Sequence, residues 1–343
     1  MIRSFGLALA ALILAAPLQA AESAKPLFAA DDAIRITIRG PVDTIAKATE
    51  ESQVSYPGSV TVAGTADALP VQLAQRGITR RKSDVCQFPP LRVTFTVPPP
   101  AGSLFAGQRR LKLITHCRPS EAFQQYVLME YATYTLYNQL TPLSFRARLA
   151  KIDYVADNGA PIISRFGFFL EPIDDVARRN GLREAKMGAR IPVASLSAVD
   201  SGRVGVFEYM IGNLDWAMQA GPAGDDCCHN NPLVGPGAAG LVPVPYDWDF
   251  SGLVDTPYAT PPDTVNVNSV RHRRYRGFCR FNKEAQAAIG AIRAQQTSLM
   301  ATFAKVPGLD PKTAKKASAY LGSFFADIAS DAGAEAKLIK TCL

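Results

Sequence analysis

Hydrophobic and polar residues alternate with a period of two through much of the first third of the chain. IRITIRG from Ile34, SVTVAG from Ser59, LRVTFTV from Leu91 and LKLITHC from Leu111 all follow this pattern. Such alternation predicts strands with one buried face. Pro57-Gly58 reads as a turn between two of them, and Pro98 to Pro100 as a break in the chain. At Pro119-Ser120 the period changes. Phe123, Val127, Tyr134 and Tyr137 recur at helical steps, which predicts one long helix from about Ser120 to Leu140 with Glu130 in the same stripe.

After Thr141, RLAKIDYV and SRFGFFLEPI predict two further strands joined by a hairpin turn at Asn158-Gly159. Asp174 to Asn180 reads as a short helix stopped by Gly181. Val204 to Ala220 is apolar enough for a buried helix that enters a loop at Gly212-Asn213, and residues 221–240 form a Gly- and Pro-rich surface excursion. From Lys283 onward the composition is Ala-rich and helical, interrupted at Pro307-Gly308 and Pro311. The expected organisation is α+β in two lobes sharing a cleft. Residues 33–172 form a β-rich lobe with one long helix, and residues 173–343 a mostly helical lobe.

The first twenty residues bear on the compartment. Arg3, the apolar run Leu7 to Ala16 and the small-residue end Pro17-Leu18-Gln19-Ala20 predict a signal peptide cleaved after Ala20, followed by a linker over residues 21–32. The apolar run is short of the roughly 20 residues that span a bilayer. A periplasmic or secreted protein is expected, with no transmembrane segment in the mature chain. In that setting the six cysteines read as up to three disulfides. Cys86 with Cys117 is the preferred pair because each lies beside a strand-like segment, whereas the neighbours Cys227 and Cys228 are expected to have separate partners. A zinc site from Cys227, Cys228 and His229 with His116 or Cys117 competes with this, but no CxxC pair with finger-like spacing accompanies it.

Charge changes the picture little. The chain carries 37 basic and 30 acidic residues, a formal +7 that becomes +6 without Arg3. Positive charge is scattered except at Arg271 to Arg276, so no nucleic-acid partner is expected and an acidic partner is favoured only weakly.

The candidate chemistry lies between Tyr209 and Gly252, where YMIGNLDW, CCHNN and VPVPYDWDFSG follow one another. Phosphoryl transfer needs a carboxylate to orient the acceptor, an amide oxygen for metal and a further carboxylate joining metal to phosphates. Asp215, Asn230 or Asn231, and Asp247 or Asp249 supply these in order. Asp247 and Asp249 are two apart on an expected strand, so they share a face and attract a divalent metal. Trp216 can pack behind Asp215. Glu130, on an apolar helical face, needs a cationic partner to stay ionised, and Lys112 in LKLITHC is the nearest candidate in chain order.

This order of elements resembles the protein-kinase-like superfamily, in particular its atypical exported branch of CotH-type spore-coat kinases and secretory-pathway casein kinases. The resemblance covers approximately Arg76 to Phe281. It implies a two-lobed kinase-like fold, with Lys112 as the phosphate-binding lysine, Glu130 as its helix partner and Phe166 to Glu171 as the strand entering the hinge, where Glu171 would contact the nucleotide. It further implies Asp215 as the catalytic aspartate, Asn230 as the metal-binding amide and Asp247 or Asp249 as the metal-binding aspartate. ATP or another nucleotide, Mg2+ or Mn2+, and a protein or small-molecule acceptor, possibly acidic and gripped by Arg271 to Arg276, are the implied ligands. The chain has no HRD triplet before Asp215, and the gap from Asp215 to Asn230 is far longer than in ordinary kinases, so Gly221 to Cys228 would be an insertion; with no GxGxxG before Lys112, Arg76-Gly77 and Arg80-Arg81 would cover the phosphates. YDWD also resembles the IDWD-type strand of small-molecule kinases. The alternative expectation is an inactive pseudokinase acting as an exported scaffold.

Overall fold

The computed structural model describes residues 21–343, so the expected signal peptide lies outside the described residues. The barrel strands are β1 (Ile34–Arg39), β2 (Tyr56–Val62), β3 (Ala68–Gln75), β4 (Leu91–Phe95), β5 (Arg110–Ile114), β6 (Ala147–Val155) and β7 (Pro161–Leu170); six lie on the expected segments, β3 is additional, and Pro57-Gly58 lies within β2 and is not a turn. They close into a barrel in the order β1-β2-β3-β4-β5-β7-β6. All neighbours are antiparallel except at the closure, where β1 runs parallel to β6 from Ile34 opposite Ala150 to Arg39 opposite Val155.

This closure corrects the expected fold. The chain is not a two-lobed kinase-like molecule with a β-rich lobe and a mostly helical lobe; its framework is a closed, mixed seven-stranded barrel with helices packed outside. The physical reason is the β1 edge. Its isoleucines need a covered face and its backbone a partner, and pairing with β6 supplies both while abolishing an exposed edge. Alternation reveals a buried face but not the identity of a partner strand more than a hundred residues away.

The barrel has two different surfaces. Ile36, Ile38, Val60, Leu73, Val93, Leu113, Ile152 and Phe169 fill the interior with other apolar side chains. Ile114, Leu149, Phe168 and Leu170 face outward and join a second core with the helices. The wall made by β5, β7 and β6 is therefore buried on both sides, as near-continuous apolar runs such as FGFFL require. Lys112, between inward-facing Leu111 and Leu113, lies on the outer face opposite Leu170.

The helices are α1 (Val42–Lys47), α2 (Glu121–Asn138), α3 (Ile173–Arg179), α4 (Ala198–Ile211), α5 (Asn282–Ala294), α6 (Gln296–Met300), α7 (Pro311–Asp327) and α8 (Asp331–Lys337). The long helix expected after Ser120 is α2. It is buried almost all round from Val127 to Tyr134 because it lies between barrel and helices, so its apolar surface exceeds one stripe. Helix α4 begins earlier than expected, where the Ser197 hydroxyl accepts the backbone N–H of Asp200, and it ends at Gly212 in the left-handed conformation. A side chain at Gly212 would be strained by its φ of +66° and would overlap the Tyr320 hydroxyl. The three-stranded sheet β10-β9-β8, from β8 (Arg183–Ala185), β9 (Leu233–Gly235) and β10 (Val242–Pro243), lies within the stretch that leads to the acidic motif.

Three disulfides tie the chain. Cys86–Cys117 forms as expected, with Cα atoms 4.7 Å apart, beside β4 and β5. Cys279–Cys342 links the turn before α5 to the end of the chain. Cys227 and Cys228 are bonded to each other and do not take separate partners, because the other four cysteines already pair among themselves. Among the described residues no helix is long and apolar enough to cross a membrane.

Candidate functional site

Arg80, in the short 3-10 turn Thr79–Arg81, is the centre of a buried charge cluster between the barrel and α2. Its Nη1 donates to Glu130 Oε2 at 3.2 Å, its Nη2 to Asp247 Oδ1 at 3.3 Å, and its Nε lies 3.3 Å from Asp249 Oδ2. The three carboxylates offer oxygens that all lie within 4.8 Å of one another. Each commits one oxygen to Arg80. Glu130 Oε1 is buried without a hydrogen-bond partner, and a void of about 10 Å3 beside it, lined by Arg80, Thr115, Glu130, Asp249 and Thr256, has about the room of one water.

The charge balance of this cluster is incomplete. Burial works against the Arg80 guanidinium, but Asp249 and Glu130 together with the other nearby negative groups outweigh it and hold its pKa well above the ordinary value. Burial pushes Glu130 up, Arg80 opposes, and Asp249 and Asp247 push further. Asp249 is raised for the same reasons, with Tyr258 donating a hydrogen bond of 3.0 Å to its Oδ2. One cation facing three carboxylates leaves a formal deficit of two charges, which a divalent cation matches in sign and size. The donor set, three hard oxygens with one orphaned, fits such an ion.

The local backbone differs from the expected strand. Asp247 and Asp249 lie beyond β10 in irregular chain, and Asp247 has a left-handed φ of 66°, so their convergence does not come from strand alternation. The turn is fixed from outside. The backbone N–H of Asp247 donates to the Tyr134 hydroxyl at 3.0 Å, Thr256 Oγ1 donates to the Asp249 carbonyl, and fully buried Trp248 packs against Tyr134 and Phe207.

Lys112 does not meet Glu130, whose cation is Arg80. Its ammonium instead sits 4.2 Å from the centre of the Tyr246 ring. Burial lowers its pKa to about 8, helped by Arg76 and opposed by Asp247 and Glu184. It therefore borders the acidic cluster through Asp247. Arg80, which carries no distinguishing pattern within TRRKS, is the residue that sequence reasoning placed over phosphates and that the fold places among acids. The available signal was the need of Glu130 for a cation, and chain order pointed to the wrong one.

Asp215 follows α4 in the turn that Gly212 opens. Its backbone N–H donates to Asn213 Oδ1 at 3.1 Å, and Trp216, buried behind it, donates from Nε1 to the Asn213 carbonyl at 3.0 Å. His229 Nε2 lies 2.7 Å from Asp215 Oδ1, and this hydrogen bond, outweighing burial, raises the His229 pKa. Asn230 Nδ2 donates to the Asp215 carbonyl at 2.8 Å and to Asp215 Oδ2 at 3.2 Å. Asn230 thus braces Asp215, while its own carbonyl accepts from Tyr246 next to the acidic motif. Asp247 acts electrostatically on His229, and Asp215 on Asp249, so both groups share one neighbourhood.

Two expected ligand contacts have other occupations. Glu171 is buried, with Arg179 Nε 3.0 Å from Oε1 and the Arg146 backbone N–H donating to Oε2 at 3.0 Å. In the basic run, Arg271 pairs with Asp255, Arg273 donates to the Met210 and Tyr320 carbonyls, and Arg276 donates to the Leu214 and Trp216 carbonyls around Asp215. These arginines hold the fold.

Beneath the site, Glu208 of α4 is buried and accepts from Trp248 Nε1 at 3.2 Å. Burial raises its pKa from 4.5 to about 8, with the nearby Asn213 amide and the Trp248 hydrogen bond opposing. Between those two values the unfolded chain loses this proton while the folded chain keeps it, so stability falls as pH rises through the window. Urea unfolding at pH 5 and pH 8 should show a steeper decline for the natural protein than for Glu208→Gln; equal slopes would remove Glu208 from this role.

The chain matches no family model and no curated protein sequence.

Proposed function

We propose that the chain is a metal-dependent phosphotransferase that moves a phosphoryl group from ATP or another nucleotide to a hydroxyl of a protein or small molecule. The observation that supports this best is the convergence of Glu130, Asp247 and Asp249, with the orphaned Glu130 Oε1, beside half-buried Lys112 and the braced Asp215. The reading rests on this site and not on a kinase fold. The three carboxylates would hold Mg2+ or Mn2+, which supplies charge neutralisation for phosphate oxygens. Lys112 offers a cation for the same phosphates. Asp215, held by Asn230 and paired with His229, orients the acceptor hydroxyl and takes its proton. Arg80 keeps the carboxylates gathered.

The three disulfides suit an oxidising compartment, and we assign the protein to the periplasm or the secreted fraction. A second reading, an inactive binding scaffold, is favoured by Arg80 already engaging all three acids. The two separate by mass. Purified oxidised protein incubated with ATP, Mn2+ and casein as a general acceptor, or alone for self-modification, should show added phosphate. Added nucleotide monophosphate would mean nucleotidyl transfer, and no added mass with any nucleotide would favour the scaffold.

A further inference from the structure

Next to the Arg80 void, across Tyr126 of α2, is a larger cavity, about 280 Å3, between α2, the first turns of α7 and the segment 253–255. Its lining is divided by chemistry. Met129, Leu253 and Ala317 are buried apolar side chains of its wall, and Arg271, Lys312 and Lys316 contribute cationic side chains.

The acids near this cavity are already engaged. Asp255 Oδ2 pairs with Arg271 at 2.9 Å. Asp310 caps α7, accepting from the Thr313 backbone N–H and hydroxyl at 2.8 Å each, and the backbone N–H of Thr313 holds its carboxyl below the usual range. Lys312 and Lys316 form no ion pair among the described residues. They stand one turn apart on the same helix face, where like charges repel, and at the N-terminal end of a 17-residue helix, where the dipole adds further positive potential. An anion in the cavity relieves both effects. The wall is also held in place: Gln125 of α2 donates to the Gly308 carbonyl at 3.1 Å and accepts from the Asp310 N–H at 2.9 Å, which fastens α2 to the start of α7.

We infer that this cavity is a binding site for a small amphiphilic anion, a carboxylate or phosphate monoester whose apolar body lies on Met129 and Leu253 and whose head meets Lys312 and Lys316. The lining is about half polar and half apolar, which suits a ligand with an apolar body and a charged head. The site is separate from the acidic cluster and does not depend on the phosphotransferase reading.

Isothermal titration of the oxidised full protein with octyl phosphate, octanoate and octylamine, each below its micellar concentration, tests this. One-to-one binding of at least one of the two anions is expected, weakened about tenfold or more in a Lys312→Glu, Lys316→Glu double variant. Both lysines are exposed, so that variant should fold, and an unchanged melting temperature confirms it. Ala122→Trp, which narrows the mouth without altering charge, should weaken the same ligand. Binding of octylamine as tight as that of the anions, retention of anion binding in the charge-reversed variant, or absence of binding by both anions would overturn the assignment.

Discussion

Replacing Arg80 with methionine is expected to lower stability by about 3–5 kcal/mol, the range seen when one partner of a buried ionic group is removed. Arg80 is the cation in direct contact with Glu130, Asp247 and Asp249, and its side chain is only 8% exposed. Without it the carboxylates face one another in a poorly solvated space and must take up protons to remain there. The loss should be partly recovered by Mn2+, since a divalent ion supplies the missing positive charge. It should also shrink when Glu130→Gln is added, which removes one of the repelling charges. Urea unfolding of the single and double variants, with and without Mn2+, gives all three quantities. A loss below about 1 kcal/mol would mean that Arg80 is no more than an exposed-type ion pair.

The largest expected effect on activity comes from Asp215→Asn. The substitution keeps the shape of a side chain that Asn230 and His229 hold in place, but it removes the group that accepts a proton from the acceptor hydroxyl. Loss of a positioned general base costs roughly 10^2- to 10^4-fold in rate. Transfer should fall by that factor while the affinity for nucleotide and metal stays within about twofold, because an interaction used in the chemical step affects kcat more than binding. The melting temperature should change little, since the Asp215 side chain is 32% exposed. Unchanged turnover would remove Asp215 from the reaction.

The sequence announced some of this arrangement through local physics alone. Alternation marks six of the seven barrel strands but not Ala68–Gln75, Pro119-Ser120 marks the start of α2, and Gly212 marks the end of α4, because each is decided by neighbours in the chain. Cys86 and Cys117 could be paired because both lie beside strands that adjoin in space. Barrel closure was not legible, since the Ile34–Arg39 segment does not state that its parallel partner is Ala147–Val155. Arg80 was not legible as the hub for a related reason. It occupies a polar turn, and only the three-dimensional approach of that turn to α2 brings its guanidinium to Glu130. The acidic pair was found through a strand that does not exist; a left-handed Asp247 and the packing of Trp248 bring the carboxylates together instead. The Cys227–Cys228 bond escaped prediction because adjacent cysteines usually serve different partners, and here the remaining four satisfy one another.

The measurement that bears most directly on the proposed metal-dependent site is the melting temperature of the oxidised protein alone, with Mn2+, and with Mn2+ and ATP, beside an Asp247→Ala, Asp249→Ala variant. Specific binding stabilises the folded state by about 2.7 kcal/mol at a hundredfold excess over the dissociation constant. A rise with Mn2+, a further rise with ATP, and neither in the variant are expected. No rise in the natural protein, or the same rise in the variant, would contradict the proposed site.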